Sequence, residues 1–232
     1  MKNFSRKSLR SIFLSFVCSA SCLTILPNKG FANQTRASHT FPDFNQVADS
    51  IMPSVVAIQS ETKDGTNPIL GSGFMMSADG HIVTHTDVIQ NAQKITARFL
   101  NVHGTLDETE HYAQVIGRDP ESGVALLKIQ AENLPFLSFG NSDKLKHEEW
   151  VAGIQAPWNG NCASVIVNTI DVTSNTLTSQ MVYEQATASA ESYNRGGPLF
   201  NSKGKVIGMN ALGANTLIPS NVIQHIAKTL LI

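Results

Sequence analysis

The chain has 232 residues, 17 Lys+Arg against 18 Asp+Glu, and 42% hydrophobic residues. That is enough for one or two buried cores, and its charge excludes the basic footprint of a nucleic-acid-binding protein. Five of the bases lie before residue 33, so the remainder carries 12 bases against 18 acids, a net charge of −6.

Residues 1–32 read as a secretory signal peptide. Lys2, Arg6, Lys7 and Arg10 make a basic start, Ser11 to Leu26 an apolar stretch, and Gly30-Phe31-Ala32 sets small residues for cleavage near Ala32. A membrane anchor fits less well, because Ser15, Ser19 and Ser21 interrupt a run already short for a span. A lipid-acceptor box at Ser19-Ala20-Ser21-Cys22 lacks the usual leucine. Cleavage leaves Cys162 as the single cysteine, unable to form an internal disulfide and read as a small core residue. The exported location this implies is the periplasm. Residues 33–43 are polar and read as a mobile arm.

Phe44, Val47, Ala48 and Ile51 recur at helical spacing, so a short helix is expected before Pro53. Short β-type runs follow: SVVAIQS, GFMMS, HIVTH, KITARFL, AQVIG, VALLKI, WVAGIQA, SVIVNTIDVT, MVYEQAT and KVIGMNAL. Turn residues punctuate them, as in SADGH, RDPES and NSKGK, which predicts an all-β barrel or sandwich. PSNVIQHIAKTLL closes the chain as an amphipathic helix, with Ser220 as N-cap and Val222, Ile223, Ile226, Ala227 and Leu230 on one face. Two β-barrels, 44–140 and 141–232, fit this order best.

Seven collinear segments then carry a resemblance. They are MPSVVAI (52–58), GSGFMMSADGHIVT (71–84), VIGRDPESGVALLKI (115–129), LSFGNSDKL (137–145), WVAGIQAPW (150–158), GGPLFNSKGKVIGMN (196–210) and IPSN (218–221). From about Phe44 to its end the chain resembles the HtrA/Deg family of exported, chymotrypsin-like serine proteases. The resemblance implies a trypsin-like fold of two packed six-stranded β-barrels with the active site in the cleft between them. Such a site needs a serine nucleophile, a histidine base, an aspartate that orients the histidine, and backbone amides for the oxyanion.

Matched residue by residue, the four elements are all substituted. In Thr84-His85-Thr86-Asp87-Val88-Ile89, Asp87 stands at the histidine position, and a carboxylate is a weak base near neutral pH. In Gly117-Arg118-Asp119-Pro120-Glu121-Ser122-Gly123, Gly123 stands at the aspartate position, and Asp119 matches a turn residue. In Glu191-Ser192-Tyr193-Asn194-Arg195-Gly196-Gly197-Pro198-Leu199, Arg195 replaces the serine and Tyr193 the oxyanion glycine. The resemblance therefore implies a degenerate protease with no catalytic residue at the triad positions. Since nucleophile and base touch in the family, Arg195 and Asp87 are expected to pair. Binding of a carboxylate by Arg195 is the other reading.

Thr187, Tyr193, Asn194, Arg195 and Gly196 are the candidate peptide-binding residues of the cleft, with Thr187 at the base of a neutral specificity pocket. A relocated endopeptidase site would use Ser192 as nucleophile and His85 as base. His81, His85 and Asp87 have zinc-type chemistry, but a strand would hold the two histidines about 13 Å apart, so no metal and no cofactor is expected. The family's peptide-binding PDZ domain is expected to be absent. The partners implied are an unfolded or extended peptide, or an active HtrA-like protease. Homo- or hetero-trimers could form through the N-terminal segment, with Phe41 and Phe44 as contacts.

Overall fold

Period-two alternation normally leaves one face of a strand in water, yet runs such as residues 124–127 are apolar on both faces. The computed structural model gives the reason. It describes residues 43–63, 68–158, 163–174, 181–185, 195–211 and 216–232. β1 (Val55–Thr62), β2 (Ile69–Met75), β3 (His81–His85), β4 (Ala92–Phe99), β5 (His111–Asp119) and β6 (Val124–Ile129) close an antiparallel barrel in the order β1-β2-β3-β6-β5-β4. β7 (Glu149–Gln155), β8 (Ser164–Ser174), β9 (Met181–Gln185), β10 (Pro198–Phe200), β11 (Val206–Asn210) and β12 (Thr216–Pro219) close a second, in the order β10-β11-β12-β9-β8-β7.

Each barrel fills its interior with alternate side chains: Val56, Ile58, Ile82 and Leu127 in the first, Val151, Leu199, Ile207 and Leu217 in the second. The intervening residues of the first barrel (Val55, Phe74, Val83, Val124, Leu126) face outward and meet Ala152, Ile154, Phe200, Val206 and Met209 of the second. A strand in this interface has a dry environment on both faces, hence the uninterrupted apolar runs. The interface is the largest buried cluster among the described residues.

Both helices close on this cluster. α1 (Asn45–Ile51) runs into a 3₁₀ turn, Met52–Ser54, that accommodates Pro53. Phe44, at its start, is fully buried and packs edge-on against Phe200, ring centroids 5.9 Å apart. Phe44 is thus spent inside its own chain, which corrects its assignment as a trimer contact; Phe41 lies outside the described residues. α2 (Ser220–Leu230) buries Ile223 and Ala227, with Val222, Ile226 and Leu230 packed beside them.

Ser220 is the first residue of α2 and not its cap. Its hydroxyl donates to the Gly140 carbonyl at 3.0 Å, and Asn221 N–H donates to Ser142 Oγ at 3.2 Å. The helix start therefore staples down the segment between the barrels. Ser220→Ala is expected to cost about 1 kcal/mol, the net value of one such hydrogen bond, measurable as a shift in the urea midpoint at unchanged slope.

The strands agree with the sequence reading within a few residues. Two were missing from it, β10 and β12, of three and four residues, too short to show periodicity. The signal peptide, Cys162 and most of the 33–43 arm lie outside the described residues.

Candidate functional site

Three segments meet at the junction of the two barrels. β3 ends at His85, paired with Val124 across β6, and the chain turns at once into a 3₁₀ turn, Thr86–Ile89. Asp87 N–H donates to His85 Nδ1 at 3.1 Å, which fixes the imidazole over the turn. The β5–β6 turn supplies Gly123, at φ +78°, closed by Gly123 N–H to the Asp119 carbonyl at 2.9 Å. Asp119 is a turn residue: it accepts from Ser122 N–H at 3.2 Å, and bonding to Ser122 holds its carboxyl below the usual range.

The third segment is Arg195-Gly196, just before β10. Ser72 N–H donates to the Arg195 carbonyl at 2.9 Å, and Gly196 N–H donates to the Asn210 carbonyl at 2.9 Å. The turn is thus clamped to β2 of one barrel and β11 of the other. Gly196 has φ +81°, and a Cβ there would fall onto the Ser72 carbonyl oxygen and the Thr84 hydroxyl. Only glycine lets the two barrels approach so closely at this point.

These constraints bring Arg195, Asp87 and His85 together. Arg195 Nη1 lies 3.9 Å from Asp87 Oδ2, and the same oxygen lies 3.6 Å from His85 Nδ1. Asp87 Oδ2 is buried and receives no hydrogen bond. The arginine and aspartate side chains are about a quarter exposed, the histidine under a tenth.

His85 lies beside the glycine of the β5–β6 turn. A Cβ on Gly123 would stand 2.7 Å from His85 Nε2. The imidazole thus lies in the space into which a side chain at 123 would project. A histidine two residues before the position that the resemblance assigns to the base, together with a glycine at the one it assigns to the acid, was the available signal.

Burial pushes the His85 pKa down; Asp87 opposes this and Arg195 adds to it. With Nδ1 accepting from Asp87 N–H, the neutral ring carries its proton on Nε2. The imidazole then has no free lone pair with which to take a proton from a hydroxyl. Because the folded value is depressed, this group's contribution to stability is present above the unfolded pKa of about 6.5 and is lost as pH falls through the folded pKa. His85→Gln is expected to flatten stability between pH 7.5 and 5 relative to the parent, read from urea titrations at both pH values.

His81 lies at the far end of β3, with Nδ1 2.9 Å from Asp79 Oδ1 and 3.1 Å from Ser77 Oγ. It does not join His85 and Asp87, and no metal-binding cluster of three His, Cys, Asp or Glu occurs among the described residues. Thr187, Ser192, Tyr193 and Asn194 lie outside the described residues.

Comparison with known proteins agrees with this arrangement. The model of the trypsin-like peptidase domain matches residues 71–209, more than half of the chain. A "probable periplasmic serine endoprotease DegP-like" from Marinomonas sp. is 28% identical over 260 residues, covering 90% of this chain and 54% of its own length. Proteins of the same name from Pseudomonas fulva and Chlamydia pneumoniae are 37% and 36% identical, covering 69% and 75% of this chain. The chain spans about a third of their lengths, 34% and 36%. Among solved structures, a variant of the HtrA-type protease AlgW with tripeptide superposes with a TM-score of 0.68 at 25% identity, over 81% of this chain and 63% of that one. The paired barrels, the glycine clamp at their junction and these collinear matches have one common explanation: the chain belongs to the trypsin-like peptidases, in the HtrA/Deg family of serine proteases.

Proposed function

We propose that the chain is an exported pseudoprotease of the HtrA/Deg type, retaining the cleft of its family without the chemistry. It holds an unfolded or extended peptide, or an active protease relative, and does not cut it. The observation that carries this reading is the Arg195–Asp87 contact of 3.9 Å, where family members pair a serine with a histidine. An ion pair at that point supplies neither nucleophile nor base, and His85 has its lone pair committed to the Asp87 amide.

Peptide retention is supported by the shape that remains, two intact barrels and a clamped Gly196-Gly197-Pro198 segment, and by the tripeptide that accompanies the AlgW structure. Location in the periplasm follows the names of the relatives and the leader-like first 32 residues. The test uses a fluorescently labelled, reduced and alkylated unfolded protein. Saturable binding with no fragments after prolonged incubation is expected. Fragments that accumulate in proportion to the chain's concentration would instead support an endopeptidase working through relocated residues. Absence of both binding and cleavage would remove the peptide-holding reading.

A further inference from the structure

We propose that Arg195 receives the free C-terminal carboxylate of a bound peptide, so that the cleft selects chain ends. This rests on the peptide-holding reading above and deepens it.

The first support is the unfinished state of the ion pair. At 3.9 Å, Arg195 Nη1 and Asp87 Oδ2 attract each other but are beyond hydrogen-bonding distance, and Asp87 Oδ2 is buried with no donor. None of the guanidinium N–H groups has a hydrogen-bonded acceptor among the described residues, and a quarter of the side chain faces solvent. A planar fork of five donors, anchored by its own backbone to Ser72 but unused at its tip, matches the two oxygens of a carboxylate.

The second support is steric. At the position that the resemblance assigns to the serine, this chain has a long guanidinium, a quarter of its side chain exposed. A peptide laid along the cleft that the family uses would meet it end-on, and a terminal carboxylate would end the strand at that point. An internal residue would have to continue past the blocked position.

The experiment compares N-terminally labelled eight-residue peptides of one neutral sequence by fluorescence anisotropy on the whole chain. One has a free carboxylate, one is its C-terminal amide, and one is the amide with an internal aspartate. The free acid is expected to bind about tenfold or more tightly than the amide, the scale of one charge-assisted pair. Arg195→Gln, with its fold checked by circular dichroism, is expected to abolish the difference. Equal binding of acid and amide overturns the proposal and leaves the peptide-holding reading standing. Binding of none of the peptides overturns both. An internal aspartate that restores full affinity overturns the chain-end assignment, assigning the carboxylate to a side chain.

Discussion

Gly196→Ala is expected to destabilise the chain by about 4 kcal/mol or more, and to lower its melting temperature by about 10 °C or more. Two costs add. Residue 196 has φ +81°, which costs an L-residue roughly 1–2 kcal/mol. The larger cost is the methyl group itself, which would overlap the Ser72 carbonyl oxygen, the Thr84 hydroxyl and the backbone of His85. Two of these are backbone atoms. Ser72 O is held by the Thr84 hydroxyl at 2.7 Å, and Ser72 N–H is bonded to Arg195 O, so neither strand can yield alone. The barrels must separate at the cleft, breaking the Ser72–Arg195 and Gly196–Asn210 bonds together. Thermal unfolding by circular dichroism measures this; a loss below about 1 kcal/mol would mean that the junction is loose and the cleft not fixed by it.

Gly123→Asp restores the residue that the family has at that position, and its expected result is loss rather than gain. Aspartate tolerates φ +78° better than most residues, so backbone strain is the smaller part. Its Cβ would lie 2.7 Å from His85 Nε2, and the ring must turn out of a buried site and release the Asp87 amide. A destabilisation of about 2–3 kcal/mol is expected. The new carboxylate beside the imidazole also reverses the direction of its titration. His85, held below its ordinary value by burial in the parent, should titrate above about 6.5 in the variant, read from its ring proton shifts. No peptidase activity should appear on the proposed reading, in which Arg195 still stands where the resemblance places the nucleophile. A His85 that titrates unchanged would show that its ring does not occupy the space beside Gly123.

Much of the fold was readable from strand periodicity and turn chemistry, because ten strands are long enough to display them. β10 and β12 were not: a strand of three or four residues carries no period, and their place comes from pairing with β11. Runs apolar on both faces announced burial, but only the packed barrels distinguish barrel interior from inter-barrel interface. In the site, the residues at 87, 123 and 195 drew attention because the resemblance of seven collinear segments assigns those positions to the triad. The position of His85 depended on a 3₁₀ turn after β3 and on the room left by a missing side chain, neither of which spacing alone reveals. Phe44 misled for a similar reason: an aromatic beside a polar arm reads as an exposed contact until Phe200 is found against it.

The central claim is that the chain has no activated serine. Labelling with a serine-directed fluorophosphonate, followed by mass spectrometry of the whole chain, tests it most directly. Arg195 at the nucleophile position and a histidine without a free lone pair predict no adduct under conditions that label an active HtrA-type protease to completion. A stoichiometric adduct that is lost on Ser192→Ala would contradict the account, since it would demand a nucleophile and a working base in a cleft assigned neither.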